Sequence, residues 1–119
     1  MISVTVNTDR DLYELRLEGH ALYCPGNDIV CAAVSALTFA LVGWVSNNPE
    51  HVKKLDKLTG YGELLPGGGK AHIKAVGDQS LRSAFMTAVI GLCQVAVSYP
   101  DNVRVHINGV LVTDKEGER

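Results

Sequence analysis

Cysteine and histidine together make a nucleophile at neutral pH, and one short stretch of this chain holds both. His20 lies in Gly19-His20-Ala21, and Cys31 follows eleven residues later in Asp28-Ile29-Val30-Cys31, with Ser35 one helical turn beyond. Asp28 has the residue type and position of a helix N-cap. Cys31 is then the third residue of the first turn, beside amide groups with no partner inside the helix and at the positive end of the macrodipole. Both influences favour thiolate over thiol. An imidazole folded back onto that sulfur completes a thiolate–imidazolium pair, the minimum equipment of a cysteine nucleophile. The amides at Cys31 and its neighbours are candidates to hold an oxyanion.

Spacing alone leaves plainer readings open. A small thiol at the start of an Ala-rich helix is usually packing, and a histidine at a strand end is usually a surface residue. Asp28 reads more readily as an N-cap than as a third catalytic member. Ser35 either supports the site or returns its hydroxyl to the helix backbone. Two other functions use the same residues: a redox sensor pairing Cys24 with Cys31 at bridging distance, and a non-catalytic dimeric binding module that keeps the thiol incidentally. Cys93 reads as core. His51, His72 and His106 have no partner at ligand spacing, and His20, Cys24 and Cys31 lack a fourth ligand, so no metal or other cofactor is expected. Pro66-Gly67-Gly68-Gly69-Lys70 fails as a phosphate loop, because Leu64 stands where the first glycine belongs and Ala71 where the Ser or Thr belongs.

The elements that must position these groups follow from periodicity. Ile2, Val4 and Val6 alternate with polar neighbours, and Leu12 to Leu17 alternate again after a turn at Asn7–Asp11, which predicts an N-terminal hairpin. Gly19–Asn27 reads as a loop. A helix is predicted from Asp28 to about Asn47, then strands at Leu55–Tyr61 and Lys70–Val76 around the Gly-rich turn. A second helix runs from Asp78 or Ser80 to Ser98, and Val103, Val105 and Ile107 mark a last strand. The tail Asp114–Arg119 is charged and is expected to fray. The order ββ-α-ββ-α-β predicts a two-layer α+β domain spanning 1–119, with two helices packed on a small sheet.

The chain has 119 residues, 46% of them apolar and 20% charged, with a net charge of −2. That composition excludes disorder and argues against a protein that coats nucleic acid. No charged residue falls between Asp28 and Glu50. The run approaches bilayer-spanning length, but Ser35, Thr38, Gly43 and Ser46 dilute it and a buried core helix is expected instead of a membrane span. The second helix carries Leu81, Phe85, Ala88, Leu92 and Ala96 on one face, with Met86, Ile90 and Val97 opposite. This is more apolar helix surface than one small sheet covers, so a homodimer is expected. Three cysteines without C-x-x-C spacing and no signal-peptide pattern point to reduced thiols in a cytoplasmic protein.

Gly-His-Ala, a short loop, and then Asp-Ile-Val-Cys-Ala-Ala-Val-Ser-Ala-Leu resemble the ribosomal-processing cysteine protease family, Prp. The apolar helix running into Ser98-Tyr99-Pro100 and a short strand is similar to that family's C-terminal part, so the resemblance covers roughly residues 1–108. It implies a cytoplasmic, dimeric endopeptidase that removes the N-terminal extension of a large-subunit ribosomal protein, acting on the precursor with no direct nucleic-acid or membrane contact. It also implies His20 as base and Cys31 as nucleophile, with Asp28 and Ser35 in the remaining motif positions. The loop at 21–27, with Cys24 and Pro25, and the Gly-rich hairpin depart from the family pattern and are expected not to touch the dyad. Leu22, Tyr23 and Gly26 are expected to make that loop a substrate-gating segment, ordered as substrate binds.

Overall fold

Inward-facing apolar residues from neighbouring strands fall at matched register positions, and this builds the layer on which the site rests. The computed structural model describes residues 1–21, 28–62 and 69–113. Strands β1 (Ile2–Asp9) and β2 (Leu12–Gly19) form the hairpin, followed by helix α1 (Ile29–Asn47), strands β3 (Val52–Thr59) and β4 (Lys70–Gly77), helix α2 (Gln79–Ser98), and strands β5 (Val103–Ile107) and β6 (Val110–Leu111). The sheet order is β3-β4-β2-β1-β5-β6. β1 pairs in parallel with β5 and antiparallel with β2, while β4 joins β2 and β3 antiparallel.

Val4 lies opposite Leu17 and Val105, and Leu15 lies opposite Ile73. All five are buried under the helices, each contributing about 1.5–3 kcal/mol by leaving water. The alternate residues Thr5, Arg16 and His72 also share one cross-strand row, with Thr5 and Arg16 exposed and His72 half-buried. Period-two alternation thus separates a helix-covered face from a polar one. The expected two-layer α+β domain is what the chain forms.

Two strands differ from the sequence reading. β3 begins at Val52, directly after a 3₁₀ turn at Pro49–His51, and not at Leu55; register shifts between Val52 and Lys54 and between Leu55 and Lys57 break the alternation that would have marked its first half. That outer strand carries exposed Lys53, Lys54 and Lys57, which discourage pairing with another sheet edge. β6 was not foreseen, although Asn108-Gly109, both at positive φ (49° and 85°), forms the tight turn that returns the chain.

Each helix starts on an aspartate. Asp28 accepts from the N–H groups of Val30 and Cys31, and Asp78 accepts from those of Ser80 and Leu81. Both helices are long and apolar enough to cross a membrane, by length and composition. α1 is not buried all round: Val30, Cys31, Val34, Thr38, Leu41 and Val45 form its covered side, while Ile29 and Phe39 are exposed. On α2, Leu81, Phe85, Ala88, Val89, Leu92 and Ala96 face inward and Ile90 is 58% exposed. Cys93 is half-buried against the core, and desolvation raises its pKa above the usual thiol value.

Candidate active site

Cys31 enters the first turn of α1 pointing inward and is 3% exposed. Two of the groups that meet its sulfur lie on separate segments of the chain. The N–H of Ala21, part of the His20–Ala21 peptide, donates to Sγ at 3.5 Å. The Tyr61 hydroxyl lies 3.7 Å from Sγ. The first contact brings the backbone beside His20 onto Cys31, joining the end of the hairpin to the helix.

Two glycines flank His20 for steric reasons. Gly19 has φ +110°, and a Cβ there would stand 2.2 Å from the carbonyl oxygen of Met1. Gly69 has φ +84°, and a Cβ there would stand 2.7 Å from Cε1 and 2.8 Å from Nε2 of His20. Backbone pairing holds the second glycine in place, with Gly19 N–H donating to Gly69 O at 2.9 Å. The Met1 amino group donates to the His20 carbonyl at 2.5 Å. The expectation that the two departures from the family pattern stay clear of the dyad is therefore corrected. The end of the Gly-rich hairpin packs on the imidazole, and Ala21, the first residue of the other loop, touches the thiol.

Asp28 Oδ1 accepts from Val30 N–H and Cys31 N–H, each at 3.0 Å, and its carbonyl accepts from Ala32 N–H at 3.1 Å. Asp28 is thus the N-cap in fact. The amides of residues 30, 31 and 32 are already engaged, which corrects the idea that they stand ready for an oxyanion. Ser35 is half-buried one turn on, and the hydroxyl that bonds back to the helix belongs to Thr38, donating to the Ser35 carbonyl at 3.0 Å.

Behind the sulfur lies a set of contacts the sequence reading missed. Thr38 Oγ1 accepts from Tyr61 N–H at 2.9 Å. The Tyr61 hydroxyl donates to the Gly19 carbonyl at 2.5 Å. Thr38 and Tyr61 are both fully buried. Asn102, just before β5, donates its side-chain N–H to the Ala21 carbonyl at 2.9 Å and accepts from Ile2 N–H at 2.8 Å through its own carbonyl. The available signal was chemical: a buried tyrosine needs a partner for its hydroxyl.

Leu22, Tyr23, Cys24 and Gly26, and with them the gating loop and the Cys24–Cys31 redox pair, lie outside the described residues, as does the tail at 114–119. Among the described residues no group of three or more His, Cys, Asp or Glu stands close enough to hold a metal ion. His51 pairs with Asp78 and His72 with Glu14, each at 2.7 Å.

Over residues 1–104 the chain matches the family described as cysteine protease Prp. It belongs to that family. The "Ribosomal processing cysteine protease Prp" of Staphylococcus aureus (strain Mu50 / ATCC 700699) is 27% identical over 112 residues, spanning 88% of this chain and 95% of the relative. The fold matches the crystal structure of the essential ribosomal processing protease Prp from S. aureus with a covalently linked product peptide. That match has a TM-score of 0.74 at 23% identity and covers 90% of this chain and 99% of that one. SMU.848 from Streptococcus mutans matches with a TM-score of 0.65 at 25% identity over 95% of each chain. Membership in Prp makes the chain a cysteine protease and sets aside the non-catalytic binding module.

Proposed function

We propose that this protease removes the N-terminal extension from the precursor of a large-subunit ribosomal protein, in the cytoplasm, with Cys31 as nucleophile and His20 as its base. The observation that carries the reading is the Ala21 N–H to Cys31 Sγ contact of 3.5 Å, which sets the peptide of His20 against the thiol. His20 takes the thiol proton, and Cys31 Sγ attacks the scissile carbonyl. The imidazolium gives that proton to the leaving amine as the C–N bond breaks, leaving a thioester on Cys31. Water, deprotonated by His20, cleaves the thioester and restores the thiol. The N–H of Ala21, held from behind by Asn102, donates to the sulfur and stabilises it as thiolate.

The same reading assigns the exposed apolar residues of the helix layer, Ile29, Phe39 and Ile90, to the interface of a homodimer. Peptide is the substrate, with no direct contact to nucleic acid or membrane. The deciding assay incubates wild type, Cys31→Ala and His20→Ala with the candidate ribosomal precursor and reads the products by mass. Wild type releases a single N-terminal fragment, Cys31→Ala none, and His20→Ala is slower by roughly two to four orders of magnitude. Full cleavage by Cys31→Ala overturns the assignment.

A further inference from the structure

The Tyr61 hydroxyl stands between the Cys31 thiol and the peptide bond that precedes His20. Its oxygen is 3.7 Å from Cys31 Sγ and 2.5 Å from the carbonyl of Gly19, the residue before His20. The ring is fully buried, and its backbone N–H is tied to Thr38 Oγ1 at 2.9 Å. The ring is therefore held in place, and rotation about the Cζ–Oη bond remains its local freedom. A phenol carries one hydrogen and accepts through its lone pairs. With the hydrogen on Gly19 O, a lone pair faces the sulfur. That arrangement suits a neutral thiol, whose S–H donates to Oη. It opposes a thiolate, which gains from a further donor beside the Ala21 N–H.

We infer that Tyr61 is a positioning residue that follows the charge of Cys31, turning its single hydrogen from the Gly19 carbonyl to Sγ when the thiolate forms. The proton that leaves sulfur goes to His20, and no other covalent bond changes. The new O–H to S⁻ bond is charge-assisted and outweighs the neutral one given up. Releasing Gly19 O also loosens the backbone next to His20 at the step in which the imidazole becomes charged. One hydroxyl thereby links the ionisation of the nucleophile to the segment that carries its base. This inference rests on Cys31 being the nucleophile, but its readout does not require peptide cleavage.

The experiment follows alkylation of Cys31 by iodoacetamide across pH in wild type and Tyr61→Phe, with the modified residue identified by mass. Tyr61→Phe shifts the profile upward by about one pH unit, so the rate at pH 7 falls roughly tenfold while the plateau at high pH stays the same. A purely structural role for the hydroxyl would leave the profile in place. Superimposed profiles, or a downward shift, overturn the inference. Should Tyr61→Phe fail to fold, the wild type supplies a second reading. Near-ultraviolet tyrosine absorption shifts in step with the thiolate absorption of Cys31 during a pH titration, and this shift is missing in Cys31→Ala. Thiolate formation without any tyrosine change overturns it equally. If Cys31→Ala still cleaves the precursor, the nucleophile assignment fails on its own, independently of either titration.

Discussion

Gly69 lies so close to His20 that a Cβ on it would stand 2.7 Å from the imidazole Cε1. The proposed base therefore leans on bare backbone, at a position whose φ of +84° also disfavours a side chain. Gly69→Ala is expected to push the ring away and to lower kcat by about 100-fold, the usual cost of a misplacement near 1 Å. The melting temperature should fall by only a few degrees, since the strain is about 1 kcal/mol. Steady-state kinetics beside a thermal melt tests this, and an unchanged kcat would show that the contact is idle.

Asp28 can be separated into cap and charge. Asp28→Asn keeps an oxygen for the N–H groups of Val30 and Cys31, so stability and cleavage should stay close to wild type. Asp28→Ala removes the cap and should cost about 1 kcal/mol in denaturant unfolding. A large loss of cleavage in a fully stable Asp28→Asn would instead give the carboxylate a role in the reaction.

Thr38 ties α1 to Tyr61 inside the core. Thr38→Val leaves the buried Tyr61 N–H without its acceptor and is expected to cost about 1–3 kcal/mol. Thr38→Ser retains the oxygen and should recover most of that. Urea unfolding of the two variants measures the difference.

His51 and Asp78 pair at the start of α2, 2.7 Å apart. The hydrogen bond to Asp78 raises the His51 pKa above 6.5, and the same bond lowers that of Asp78 below 3.8. A raised histidine pKa stabilises the fold below 6.5 and loses its effect as pH rises through the folded value. A lowered aspartate pKa stabilises above 3.8 and loses its effect as pH falls through the folded value. The pair therefore contributes fully between these two limits. Melting temperatures of wild type and His51→Gln should differ most inside that window and converge in alkaline buffer. A constant difference across the whole range would exclude the ionic contribution.

Ile90 is 58% exposed on α2. A charge there should change the unfolding of an isolated protomer by less than about 0.5 kcal/mol. If the helix layer is the homodimer interface, Ile90→Glu should shift sedimentation from dimer toward monomer and lower apparent stability as the protein is diluted. Identical sedimentation of wild type and variant would place the interface elsewhere.

Much of this architecture was legible because it depends on short-range pattern. Alternation located β1, β2, β4 and β5, and Asp28 announced the start of α1, while that of α2 was left between Asp78 and Ser80. β3 was misplaced because its bulges break the alternation. β6 was overlooked although Asn108-Gly109 is a strong turn signal. His20 and Cys31 were singled out by residue type and motif, and the structure brings the backbone beside one onto the sulfur of the other. Thr38, Tyr61, Gly69 and Asn102 were not, since their roles arise from contacts between residues far apart in sequence. Tyr61 meets Cys31 across 30 positions, and no local period records such a meeting.

Asn102 holds the Ala21 carbonyl from 81 residues away, and this sets an order of events during synthesis. The chain emerges from the ribosome N-terminus first. His20 and Cys31 are therefore made long before the residue that clamps the peptide between them. β1 likewise waits for β5 as its parallel neighbour, a pairing whose slow closure spans nearly the whole described chain. A nascent protease short of residue 102 has its thiol and its imidazole but not the clamp or the parallel strand beside β1. Topology thus sets when this corner of the fold can close: not before the last strands have been made.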